Sequence, residues 1–195
     1  MRVLRAAEYK SMPWKNGGGV TTEIAVSPAD AGLDAFDWRV SMARVESGGP
    51  FSSFAGIDRT LSVLEGEGIV LDVAGQPPAR LTAASAPLSF PADRPTGAEL
   101  IAGPITDLNV MTRRGRMRHS VERLVISNPL EIGTESRATL VLCLGGEVVV
   151  AAAEPVRLGH LDALLTASAT TGLRIQPIDD TTVFVVRIDG IRAND

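Results

Sequence analysis

Apolar and polar residues alternate with a repeat of two through most of the chain, and the alternation breaks at glycine- and proline-rich points. Residues 20–26 are β-branched and alternating, and predict the first long strand. Residues 38–45 alternate next, with Trp38, Val40 and Met42 on one face and Arg39, Ser41 and Ala43 on the other. Residues 27–37 read as a polar loop, and 46–59, rich in Gly and Ser, as a loop anchored by Phe51 and Phe54. From Thr60 the pattern is strand, glycine turn, strand: 60–64, then Glu65-Gly66-Glu67-Gly68, then 69–73. Shorter strands follow at 80–82, 87–90, 98–102 and 107–112. The last puts Asp107, Asn109, Met111 and Arg113 at one parity and Leu108 with Val110 at the other. Residues 113–137 read as a connector with one short strand near 121–126.

A second series then repeats the first. Residues 138–144, the turn at Gly145-Gly146 and residues 148–150 restate the pattern of 60–73, and strands at 156–158, 162–166, 172–175 and 181–188 follow in the same order. The offset holds near about 75 to 80 residues, an internal repeat. Two copies of a roughly eight-stranded, glycine-turned unit predict an all-β protein built as a duplicated small barrel of the jelly-roll kind. The expected division is an N-terminal barrel over 1–115 and a C-terminal one over 116–195, sharing a core and open to strand exchange.

Within this pattern one stretch is not explained by packing: Met12-Pro13-Trp14-Lys15-Asn16-Gly17-Gly18-Gly19. A phosphate-binding loop would put a lysine after its glycines and open a helix. Here Lys15 precedes them and a strand follows, so the stretch reads as a bend between strands.

Composition narrows the function. The 195 residues are 45% hydrophobic with a net charge of −4, and basic residues are interspersed with acidic ones, so nucleic acid is not an expected partner. No run approaches the roughly 18 apolar residues of a membrane span, and the N-terminus lacks a signal-peptide pattern, so the expected location is the cytoplasm with no membrane partner. The single cysteine, Cys143, lies in an apolar run and reads as core. The two histidines, His119 and His160, stand apart, so no histidine-built metal centre and no cofactor is expected. There is no nucleophile elbow.

What remains is a set of polar groups sharing strand faces: Thr21 with Glu23, Arg39 with Ser41, and Asp107 with Asn109. Period-two alternation determines which residues share a face, but not which face is inside. Turned inward, these residues make a lumen of cations, carboxylates and an amide suited to a small carboxylate, which a guanidinium matches with two parallel hydrogen bonds. Turned outward, they are solvated. Alternatively, Arg39 or Arg59 serves only to neutralise Glu23 or Asp107 within the fold.

The residues 12–19 together with Glu23-Ile24, Trp38-Arg39-Val40-Ser41, Gly49-Pro50-Phe51-Ser52 with Phe54, Gly56 and Arg59, Leu64-Glu65-Gly66, and 107–113 resemble the HutD/Ves family of bicupin proteins. Ala92 is one departure, standing where the family usually has glycine. The resemblance implies a metal-free double cupin (two double-stranded β-helices in one chain) associated with histidine utilisation. It also implies a regulatory or flux-limiting role through binding of N-formyl-L-glutamate. A formylated amino dicarboxylate needs cations for its carboxylates and an amide partner, so the expected ligand-binding residues are Lys15, Asn16, Glu23, Arg39, Ser41, Arg59, Asp107, Asn109 and Met111. Two other readings stand beside it. One is a cofactor-free enzyme using Glu23 or Asp107 as acid or base; the other is an interaction protein that forms a homodimer through its sheet edges.

Overall fold

The computed structural model describes residues 1–15, 17–152, 154–167 and 172–191. Its described residues form strands with no α-helix, and they divide into two compact units: Lys10–Arg118, and Met1–Tyr9 together with His119–Asp195. Strand β1 (Arg2–Leu4) and a single 3-10 turn (Ala6–Glu8) belong to the second unit, so the first nine residues, expected with the N-terminal barrel, group with the C-terminal one.

In the first unit the chain runs β2 (Lys10–Pro13), β3 (Gly19–Ser27), β4 (Trp38–Val45), β5 (Gly49–Pro50), β6 (Ile57–Glu65), β7 (Ile69–Val73), β8 (Ala79–Leu81), β9 (Leu88–Pro91), β10 (Thr96–Leu100) and β11 (Ile105–Arg113). They form a six-stranded sheet in the order β2-β3-β4-β11-β6-β9 and a four-stranded sheet in the order β5-β10-β7-β8. Ala43, Val45, Leu61, Val63, Phe90 and Ile105 from the larger sheet pack against Ile69, Leu71, Val73, Leu81 and Ala98 from the smaller. Burial of these alternate side chains holds the two sheets face to face.

β12 (Met117–Ile126) leads into the second unit, with β13 (Leu130–Ile132), β14 (Ala138–Leu144), β15 (Val148–Val150), β16 (Val156–Leu158), β17 (Ala163–Ala167), β18 (Leu173–Pro177) and β19 (Thr181–Gly190). Its sheets run β1-β17-β14-β19-β12 and β13-β18-β15-β16. The strand order β4-β11-β6-β9 facing β5-β10-β7-β8 thus recurs, eight strands later, as β12-β19-β14-β17 and β13-β18-β15-β16. Val141, Cys143, Leu164, Val183 and Val185 fill this unit's interior with Val148, Val150, Leu158, Leu173 and Ile175.

Two stretches differ from the sequence reading. Ile57 to Arg59, expected in a loop, open β6, because each pairs with β11 through Arg113, Thr112 and Met111. The connector expected over 113–137, with one short strand near 121–126, contains that strand as the second half of the ten-residue β12, whose first half, with Arg118, His119 and Ser120, carries no hydrophobic alternation, and it contains β13 as well.

Candidate functional site

The site is built on the inner face of the six-stranded sheet. Antiparallel pairing sets Glu23 opposite Ser41 on β4, Ser41 opposite Asn109 on β11, and Asn109 opposite Leu61 on β6. One level along, Arg39, Met111 and Arg59 lie side by side; one level the other way, Ala43, Asp107 and Val63 do so, just before a bulge at Thr106/Asp107. Because Ala43, Val45, Leu61, Val63 and Ile105 share these parities and line the core, Arg39, Ser41, Arg59, Asp107 and Asn109 point inward with them.

Burial follows. Arg39, Ser41, Asp107 and Asn109 are buried, the Glu23 side chain keeps 22% exposure, and Arg59 is half-buried. Arg39 Nε donates to Glu23 Oε2 at 2.8 Å. Arg59 Nε donates to Asn109 Oδ1 at 2.8 Å, its Nη2 donates to the same oxygen, and Asn109 Nδ2 donates to Asp107 Oδ1 at 2.6 Å. The Arg59 guanidinium carbon lies 4.5 Å from the ring centre of Phe51 and 5.8 Å from that of Phe90, so its charge is held between aromatic faces. Internal pairing of Arg39 with Glu23, one of the two sequence readings, is therefore present, but it is incomplete. Among the described residues, Arg39 Nη2 and Asp107 Oδ2 are buried without a hydrogen-bond partner.

Burial pushes the Asp107 carboxyl up to about 6, against the pull of Arg59, the Asn109 amide and the Ala43 backbone N–H, all of which favour the charged form. Burial lowers Arg59 to about 10; Asp107 works against that and the like charge of Arg39 adds to it. A divalent metal does not fit this set, since two guanidinium groups stand among its two carboxylates. Among the described residues no three His, Cys, Asp or Glu side chains gather as metal ligands.

The remaining expected residues lie elsewhere. Lys15 is exposed on the turn between β2 and β3, beyond the Gly19–Val45–Ile105 end of the sheet. Arg39 is six residues further along β4, about 20 Å at the strand rise. Met111 is the exception: it stands between Arg39 and Arg59 across the strands and packs on an apolar group of Phe36, Ile57 and Ala92. Asn16 lies outside the described residues. Phe51 and Phe90 are the partners sequence reasoning missed; the cross-strand pairing of Phe90 with Arg59 is invisible without the β6–β9 register. A separate surface concavity of about 550 Å³, lined by Gly49, Val70, Asp72, Gly97 and Glu99, is away from this cluster: Val70 and Asp72 alternate with the core residues Ile69, Leu71 and Val73.

The HutD family model matches residues 6–184. This chain belongs to the HutD family. It is 37% identical over 164 residues to an uncharacterized 21.2 kDa protein in the hutC 3′ region of Pseudomonas putida, covering 84% of this chain and 85% of that protein. Among solved structures it is similar to HutD from Pseudomonas fluorescens, determined in a formate condition, with a TM-score of 0.83, 32% identity and coverage of 98% of this chain and 99% of that one. A conserved Pseudomonas aeruginosa protein of unknown function superposes with a TM-score of 0.88 at 35% identity, over 96% of this chain and 98% of the other. The cupin-like fold extends to a Lactobacillus farciminis oxalate decarboxylase, at a TM-score of 0.67 and 9% identity, over 97% and 86% of the two chains; at that identity the likeness concerns the fold alone.

Proposed function

We propose that this HutD-family chain is an internally duplicated cupin that binds a small carboxylate inside its first barrel, without metal. The observation that carries the reading is Arg39: its Nη2 is a buried cationic donor with no partner among the described residues, next to a second guanidinium, Arg59, that keeps partial contact with solvent. An unpaired charged donor in a dry interior is costly, and a carboxylate entering past Arg59 and Glu23 removes that cost with charge-assisted bonds. Ser41 and Asn109 add hydroxyl and amide groups on the same face. The corresponding strand of the second unit, β19, presents Val183 and Val185 inward, which supports placing the site in the first barrel.

N-formyl-L-glutamate is the ligand this reading favours, because it offers two carboxylates and a formamide. The hutC-region name of the Pseudomonas putida relative supports a regulatory or flux-limiting role in histidine utilisation. A second reading, an acid–base enzyme acting on the same ligand, draws on Asp107, whose carboxyl near 6 suits proton transfer around neutral pH. Titration calorimetry and thermal shift with N-formyl-L-glutamate, glutarate and formate test the proposal. Saturable heat and a raised midpoint are expected, with affinity weakened at least about tenfold in Arg59→Gln. Absence of both signals with every acid overturns it.

A further inference from the structure

Asp107, Asn109 and Arg59 stand in single file across β11 and β6. Asp107 Oδ1 accepts from the Asn109 amide, and Asn109 Oδ1 accepts from both Nε and Nη2 of Arg59. The amide donates at one end and accepts at the other, so it couples the charge of Arg59 to that of Asp107. Asp107 Oδ2 is buried and, among the described residues, bonded to nothing. A proton placed on Oδ2 leaves Oδ1 to go on accepting from Asn109.

The charges inside the barrel balance. Glu23 from β3 and Asp107 from β11 offset Arg39 from β4 and Arg59 from β6. From the opposite sheet, β7, β8 and β10 contribute Ile69, Leu71, Val73, Leu81 and Ala98, none of which titrates. Trp14, Phe51, Leu88 and Leu100 close the group from its edges. Bringing in one more carboxylate leaves an uncompensated negative charge in a low-dielectric interior, which is unfavourable unless something neutralises it.

We propose that a bound carboxylate takes Arg59 over from this chain of side chains and that Asp107 responds by taking one proton from water onto Oδ2, so that ligand binding and proton uptake are coupled. The carboxylate group that takes over Arg59 adds one negative charge and the proton adds one positive charge, so the charge that this group brings into the interior is offset. The inference rests on the carboxylate-binding reading above. Burial already holds the Asp107 carboxyl near 6; losing Arg59 to the ligand and gaining a nearby anion both push it higher, through neutral pH.

The test is calorimetric titration of the full chain with glutarate and with N-formyl-L-glutamate at pH 7, in two buffers of different ionisation enthalpy. The expected result is uptake of about one proton per ligand bound, with Kd weakening by up to about tenfold per pH unit between roughly pH 6.5 and 8. Asp107→Asn, which mimics the protonated residue, is expected to bind with no proton uptake and with a pH-independent Kd. Carbon NMR of the Asp107 carboxyl in the wild-type chain makes the assignment even if that variant does not fold: it should titrate near 6 alone and stay protonated above pH 7 in the complex. Binding without proton uptake, or with proton release, overturns this coupling and leaves carboxylate binding standing. No binding of either acid overturns both.

Discussion

Arg59 shows how much a single side chain depends on neighbours that are remote in sequence. Its guanidinium bonds to Asn109 and lies against Phe51 and Phe90, positions its local sequence does not announce. Asp107 is the residue whose charge state this environment alters most, and the alteration has a definite sign. Its carboxyl is raised in the folded chain, to about 6, so between about pH 4 and 6 the folded state holds more protons than the unfolded state. Its contribution to stability is therefore greatest in acid and is lost as pH rises through 6. In urea unfolding, wild type should lose about 2 kcal/mol relative to Asp107→Asn between pH 4.5 and 7.5; a constant difference would remove the basis for a raised carboxyl.

At the scale of elements, the turn joining β2 to β3 contains a glycine run whose members do different work. Trp14 bonds through its backbone N–H to the Gly19 carbonyl at 2.9 Å, and its ring nitrogen donates to Thr21 Oγ1 at 2.7 Å, so the ring folds back over the start of β3. A Cβ on Gly19 would meet the Arg44 carbonyl oxygen at 2.3 Å and the Trp14 ring at 3.1 Å. Gly17 instead needs its glycine for a φ of +71°, with open space around it. Gly19→Ala should accordingly cost about 2–4 kcal/mol and Gly17→Ala about 1 kcal/mol, read from chemical denaturation midpoints; equal losses would contradict the close approach at Gly19. The glycines were legible in the sequence as a bend before a strand. Which one packs against β4 was not, since that depends on Gly19 pairing with Val45 across the sheet. β12 marks the converse limit: its second half, 121–126, was legible as a strand, whereas the start of this edge strand, with Arg118, His119 and Ser120, carries little hydrophobic signal of its own.

For the whole molecule, the N-terminal segment is the instructive case. β1 pairs with β17 through Arg2–Leu165, Val3–Leu164 and Leu4–Ala163, and covers an edge that would otherwise lie open. Asp162 secures it, accepting from Arg5 Nη1 at 2.7 Å, the Ala6 N–H at 2.9 Å and the Gly159 N–H at 3.2 Å, while Tyr9 Oη donates to the Leu161 carbonyl. Burial alone would raise the Asp162 carboxyl, but these bonds outweigh it and hold it below the usual range. That stabilisation is present above about pH 4 and is lost in more acidic solution. Asp162→Asn should raise hydrogen exchange across residues 2–4 by about tenfold or more at neutral pH and lower the thermal midpoint by a few degrees; unchanged protection would mean that β1 is held by strand pairing alone.

The sequence by itself determined the all-β class, the repeated strand order, most strand positions and which polar residues share a parity, because a period of two and glycine turns are local properties of the backbone. Packing alone decided that Arg39, Ser41, Arg59, Asp107 and Asn109 face a core, that Met111 sits among apolar neighbours, and that residues 2–4 join a strand more than 150 positions away. Inside and outside, and the choice of partner, depend on burial between segments far apart in the chain, and no stretch read alone carries that information.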